Sequence, residues 1–114
     1  MTSGAETGVV LVFTTIGADT DGAALARTLV DERLAACVNV LPPMTSVYRW
    51  EGQVQTDREQ QLIIKTARHQ VPALEARVRE LHLYDLPEFL VLPVSDGSKA
   101  YLGWVFESVG GRRV

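Results

Sequence analysis

The chain has one cysteine in its 114 residues and no apolar stretch long enough to span a membrane. Because Cys37 has no second cysteine to pair with, a disulfide within the chain is excluded and a reducing setting is expected. Residues 1–6 lack the basic and apolar segments of a secretory signal. These absences predict a cytoplasmic protein with no membrane partner.

Basic residues are fewer than acidic residues in this chain. The chain carries 11 Lys and Arg against 14 Asp and Glu, and its formal net charge is −3. Since nucleic-acid-binding domains present a basic face, no nucleic-acid partner is expected. The nine glycines are dispersed, and no phosphate-binding loop, nucleophile elbow or Cys/His pairing is present. We therefore expect a protein that is not an enzyme.

Apolar runs and helical spacings alternate along the chain. Strands are predicted at 9–14, at 37–50 with a break at Pro42-Pro43 and a restart at Thr45, at 53–66 and at 89–94. Helices are predicted from caps at 19–21 to about Ala35, over 70–81, and from a cap at Ser95, Asp96 or Ser98 to Gly110-Gly111.

This order predicts an α+β fold, the ferredoxin-like split β-α-β sandwich in the sequence β-α-β-β-α-β-α. Residues 9–114 are expected to form one domain, and residues 1–8 a frayed tail.

The second and third predicted strands are too long for so small a domain. Each has roughly a dozen residues, or about 40 Å of extended chain, against a domain diameter of roughly 35 Å. They meet at Glu51-Gly52 and form a long projecting hairpin. Because unpaired strand edges seek another chain, we expect a closed oligomer. Tyr48 and Trp50 share a strand face, which favours packing between subunits over a ligand platform.

Five separated segments together resemble the CutA divalent-cation tolerance family. They are residues 32–40 (ERLAACVNV), 46–52 (SVYRWEG), 84–88 (YDLPE), 92–94 (LPV) and 101–104 (YLGW). The resemblance implies a cytoplasmic homotrimer of ferredoxin-like subunits, with the hairpins packed between neighbours and an association with copper and other divalent ions. The subunit interface is then expected to include Tyr48, Trp50, Tyr84 and Trp104.

Three residues near the second helix are candidate metal ligands. His82, Asp85 and Glu88 combine an imidazole with two carboxylates, a donor set that suits Cu(II), Ni(II) or Zn(II), and Cu(2+) is the ion we expect. Residues 11–15 offer no cysteine, so a thiolate site for Cu(I) is not expected. In the alternative, structural interpretation His82 caps the end of the second helix, and the two acids belong to a turn and a subunit boundary.

A second function remains open on the sequence alone. A trimeric signalling or scaffold protein would bind a small metabolite, an anion or a partner protein in the clefts between its subunits. Basic side chains would then line the cleft, and the candidates are Arg33, Arg49, Arg58 and Lys65. An RNA-recognition module of the same strand order is rejected, because the predicted third strand lacks stacking aromatic residues.

Overall fold

The computed structural model describes residues 7–82 and 84–110, and within them the chain forms one antiparallel sheet of five strands with three α-helices. The predicted ferredoxin-like α+β fold is therefore confirmed. In chain order the elements are β1 (Val9–Gly17), α1 (Gly22–Asp31), β2 (Cys37–Val40), β3 (Met44–Trp50), β4 (Gln53–Ala67), a 3₁₀ turn (Arg68–Gln70), α2 (Val71–Leu81), β5 (Leu90–Pro93) and α3 (Lys99–Ser108).

The β3–β4 hairpin projects from the sheet, as the strand lengths predicted. One edge of β4 pairs with β1 only from Glu59 to Ala67, so residues 53–58 continue past the end of β1. The turn places Glu51 at φ 51° and Gly52 at φ 79°, both in the left-handed region that a two-residue hairpin turn requires. The hairpin lengthens the molecule to 46 × 33 × 23 Å.

The two faces of the sheet are covered unequally. One face packs under α1 and α2 in a core built from Val10, Val12 and Ile64 of the strands with Leu29 and Leu74 of the helices. These five side chains are fully buried, and each contributes about 2 kcal/mol from the apolar surface that it removes from water.

On the opposite face α3 covers one end only. There Val105 and Val109 pack against Val9 and Ala67. We call the remainder of this face the open face. It includes five apolar residues that lie opposite or beside one another on the paired strands β4, β1 and β5, namely Leu11, Phe13, Ile63, Leu90 and Leu92.

The first helix is shorter than predicted, because α1 ends at Asp31 instead of near Ala35. Arg33 lies at φ 60°, and the amide of Leu34 donates to the carbonyl of Leu29 at 3.0 Å, which is the hydrogen bond of a Schellman C-cap. Leu34 and Ala35 still reach the core from the loop. These residues are apolar because their side chains pack in the core, and they do not form a further turn of the helix.

The other boundaries lie close to their predicted positions. Strand β1 extends past the predicted Thr14 to Gly17, and Ser98 is the cap that α3 uses, accepting from the amide of Tyr101. The predicted tail over 1–8 lies mostly outside the described residues, but the Thr7 hydroxyl donates to the carbonyl of Val94 at 2.7 Å. No helix in the described ranges has the length and apolarity needed to cross a bilayer.

Candidate functional site

A groove of about 870 Å³ runs between the β3–β4 hairpin and the segment 84–88, and we call it the hairpin groove. Strand alternation builds its floor, because residues two apart on a strand face the same side of the sheet. Ser46 of β3 lies opposite Asp57 of β4, and Thr15 of β1 lies opposite Gln61. The lining comprises Thr15, Met44, Ser46, Tyr48, Arg49, Trp50, Asp57, Glu59, Gln61, Tyr84, Asp85, Leu86, Pro87 and Glu88.

Two tyrosines bind carboxylates inside the hairpin groove. The hydroxyl of Tyr48 donates to Asp57, and this hydrogen bond is the main reason that the pKa of Tyr48 lies above its ordinary value. Glu59 is only 9% exposed and accepts a hydrogen bond from Tyr84. Burial, followed by this hydrogen bond, raises the pKa of Tyr84 to about 12. Both phenols therefore stay neutral at physiological pH and act as hydrogen-bond donors to the two carboxyl groups.

Glu88 is held in the groove by a side chain of the sheet. The amide nitrogen of Gln61 donates to Oε2 of Glu88 at 3.0 Å and to the carbonyl of Thr14 at 2.8 Å. This contact fixes the segment 84–88 against β4, so the acid after Pro87 points into the groove and not into solvent.

His82 lies at the C-cap of α2, which is the position that the structural interpretation assigned to it. Its ring, however, contacts β1 and not the last carbonyls of the helix. Nδ1 accepts from the backbone N–H of Tyr84 at 3.1 Å, and Nε2 lies within hydrogen-bond distance of the Thr15 carbonyl. Because a carbonyl can only accept, Nε2 carries the proton and the ring is the neutral Nε2–H tautomer.

The three predicted metal ligands are only partly brought together. Asp85 and Glu88 line the hairpin groove, whereas His82 is not among the lining residues and both of its ring nitrogens contact the backbone of Thr15 and Tyr84. No group of three or more His, Cys, Asp or Glu side chains that could hold a metal ion occurs among residues 7–82 and 84–110. Within these residues, one chain gathers only part of the predicted ligand set. The site at His82, Asp85 and Glu88 remains a prediction that needs ligands from another chain.

Three of the four predicted interface residues, Tyr48, Trp50 and Tyr84, line the groove, and each is about 40% exposed. Trp104 lies apart on α3, where its ring packs 5.4 Å from that of Tyr101. Of the basic residues expected in a cleft, Arg49 lines the groove, whereas Lys65 lies 5.9 Å over the Tyr101 ring.

Sequence reasoning missed the acidic floor of the groove. Asp57, Glu59 and Gln61 alternate along β4, and this spacing alone placed them on one side of the strand. The signal was hidden because residues 55–61 read as a uniformly polar stretch of a projecting arm.

Comparison with known proteins identifies the family. Residues 10–108 match the family of CutA1 divalent ion tolerance proteins. The chain belongs to the CutA1 family. This assignment confirms the resemblance that the five sequence segments had indicated.

The match to CutA1 relatives extends over nearly the whole chain. The divalent-cation tolerance protein CutA of Thermus thermophilus is 44% identical over 100 residues, which are 88% of this chain and 97% of the relative. The crystal structure of CutA1 from Oryza sativa has a TM-score of 0.85 at 41% identity and covers 96% of this chain and 99% of its own. A structure described as the PII-like protein CutA from Nostoc has a TM-score of 0.82 at 33% identity, over 88% and 96% of the two chains.

The printed names of other CutA relatives differ in cellular location. A rice protein, of whose length this chain spans 56%, is named chloroplastic, and an Archaeoglobus fulgidus structure is described as periplasmic. Family membership therefore does not by itself assign a compartment.

Proposed function

We propose that this CutA1 family member is a subunit of a cytoplasmic homotrimer that acts, without catalysing a reaction, in the response to divalent cations, with Cu(II) as the first ion to test. The observation that carries the proposal is the acidic lining of the hairpin groove. Four carboxylates, those of Asp57, Glu59, Asp85 and Glu88, line it against the single guanidinium of Arg49. Carboxylate oxygens suit divalent ions, and the negative excess attracts cations.

The open face supports the oligomer. Leu90 is 55% exposed and Leu92 is 41% exposed, although both lie on a sheet face that is apolar at Leu11, Phe13 and Ile63. On the hairpin, Val47 and Val54 are 65% and 64% exposed. Contiguous apolar surface of this kind marks a protein interface, so a second and third copy are the proposed cover.

The proposed oligomer also determines which groups can bind the metal. Because residues 7–82 and 84–110 of one chain gather no group of three ligands, the proposed Cu(II) site takes groups from two copies of the chain, with Asp85 and Glu88 contributing from one of them. A mononuclear site of imidazole and carboxylate donors at a subunit boundary would then depend on the oligomer.

Two measurements test this function. Sedimentation equilibrium should give three times the 12.5 kDa mass of one chain, and Leu90→Arg on the open face should reduce that mass. Metal-free protein should then be titrated with Cu(II), Zn(II) and Ni(II) in competition with a chelator. Sub-micromolar Cu(II) binding at an integral ratio, weakened by Glu88→Gln and by dissociation of the oligomer, supports the proposal. Weak binding without stoichiometry, unchanged in Glu88→Gln, refutes the metal site.

A second function is favoured by the size of the groove. A cavity of about 870 Å³ is in the range that small organic ligands occupy, and the Nostoc relative is described as PII-like. We propose as the alternative a signalling or scaffold trimer that binds a metabolite at its subunit clefts. Thermal unfolding distinguishes the two functions, because metabolites should then raise the unfolding temperature more than metal ions do.

A further inference from the structure

The hairpin groove combines a carboxylate floor with aromatic walls, and this combination selects a class of ligand. We propose that the groove binds an organic cation, a compound carrying an ammonium or quaternary ammonium group. The inference deepens the second proposed function, the metabolite-binding trimer, and is independent of whether copper binds. Three properties of the groove carry it, namely its size, its excess of carboxylates over cationic side chains and its aromatic lining.

The size of the groove argues for a molecule and not for a bare ion. A divalent ion needs several donors within 2.0–2.6 Å of one point, which is a small fraction of about 870 Å³. Pockets for metabolites and drug-sized molecules span roughly 300–1,000 Å³. The described side chains of one chain gather no metal-ligand cluster, so within one chain the groove has room for an organic compound beside its carboxylates.

The charge of the groove is only partly balanced by its own lining, where four carboxylates face the one guanidinium of Arg49. Arg77 and Arg79 form ion pairs with glutamates 32, 75 and 80, none of which lines the groove. Glu59, which is 9% exposed, accepts a hydrogen bond from the phenol of Tyr84. A buried carboxylate without a counter-charge is costly, and a bound cation lowers that cost.

The aromatic side chains specify what kind of cation fits. Tyr48, Trp50 and Tyr84 line the same groove as Glu59 and Glu88. Aromatic rings attract ammonium groups through the negative potential of their faces, and their apolar surface accepts the methyl or methylene groups beside the charge. Inorganic ions lack that apolar part, so an amine or quaternary ammonium compound uses more of this lining than potassium or magnesium does.

Tryptophan fluorescence provides a direct test. In a Trp104→Phe background Trp50 is the remaining tryptophan and reports on the groove. Choline and 1,4-diaminobutane serve as probes, with potassium chloride at equal ionic strength as the reference. We expect a saturable change in Trp50 fluorescence with either probe and none with the salt. Glu59→Gln and Glu88→Gln should each weaken binding about tenfold, since each removes one charged contact. Glu80→Gln, the same change at an exposed position of α2 that does not line the groove, should leave binding unaltered.

Several results of this experiment would overturn the proposal that the groove binds an organic cation. Equal responses to the probes and to potassium chloride overturn the inference, and so does equal weakening by Glu80→Gln and Glu88→Gln. A groove filled by a neighbouring copy would show no probe response in the oligomer, which also overturns it. If Glu59→Gln does not fold, the comparison of Glu88→Gln with Glu80→Gln decides. Copper binding without probe binding refutes this inference and supports the metal function. Probe binding without copper binding supports this inference and refutes the metal function.

Discussion

Replacing His82 by alanine tests whether this residue anchors the groove or binds a metal. The ring joins two parts of the fold, because Nε2–H donates to the Thr15 carbonyl of β1 and Nδ1 accepts from the Tyr84 amide. The Tyr84 ring also lies 4.6 Å from the imidazole. His82→Ala removes all of these contacts and detaches the start of the segment 84–88, which forms one wall of the hairpin groove.

The loss of stability can be estimated from the hydrogen bonds. Each of the two is worth roughly 1 kcal/mol net, so His82→Ala should cost about 2 kcal/mol of unfolding free energy. With a urea dependence of roughly 2 kcal/mol per molar for a domain of this size, the unfolding midpoint should fall by about 1 M. All variants must be compared at one protein concentration, because the stability of an oligomer depends on it.

Two conservative variants assign the loss to individual atoms. An asparagine at position 82 can offer Oδ1 in place of Nδ1, and a glutamine can offer its amide nitrogen in place of Nε2. Each should recover about half of the lost stability. Hydrogen exchange at the Tyr84 amide should be faster in His82→Ala and His82→Gln and remain slow in His82→Asn.

The opposite result would refute this reasoning. If His82→Ala unfolds at the wild-type midpoint with unchanged protection of the Tyr84 amide, the ring does not anchor the segment. If that variant also loses copper binding, His82 acts as a ligand. Loss of copper binding together with a destabilised fold would not identify a ligand, so Glu88→Gln is the better test of the metal site.

Three further predictions address stability. Leu74→Ala removes a fully buried side chain and should cost about 3 kcal/mol in urea unfolding, whereas Ala76→Ser on the exposed face of α2 should change it by less than about 0.5 kcal/mol. Gly52→Ala should cost about 1 kcal/mol in the same assay, because φ is 79° and a Cβ there would meet no atom within 4 Å, so strain alone acts. The pKa of Tyr84, about 12, lies above the ordinary value of 10.0, so its neutral form is favoured in the folded state. Its contribution to stability is full below pH 10 and is lost as the pH rises towards 12, and Tyr84→Phe should remove the highest step from an ultraviolet phenol titration.

The fold could be predicted because each local signal agreed with the architecture. Turn residues and proline positions placed the Glu51-Gly52 turn and the break at Pro42-Pro43 correctly, and Ser98 is the one of the three candidate caps that α3 uses. The error at the end of α1 has a physical origin. Leu34 and Ala35 lie in the loop after α1, and their side chains pack in the core. Apolar residues that are buried from a loop can continue the spacing of a helix, so the sequence does not show where the helix ends.

The hairpin groove was harder to predict, since its residues come from three distant parts of the chain. Thr15, Asp57 and Glu88 meet only through the register of β1 with β4 and the bond from Gln61 to Glu88. The sequence offered two interpretations of His82, a metal ligand beside two acids and a cap of the second helix. In the structure both ring nitrogens of this histidine make backbone contacts.

The excess length of the hairpin connects the proposed assembly with the proposed ligand site. Strand β1 ends at Gly17, opposite Glu59, so the part of β4 that bears Asp57 has no neighbour on that edge within the described chain. That missing strand leaves the space that the hairpin groove occupies, beside the segment 84–88. A hairpin that ended level with the last residue of β1 would have neither the exposed valines at 47 and 54 nor the groove. Binding at the groove should therefore respond to changes in subunit packing, since both use the same projecting strands.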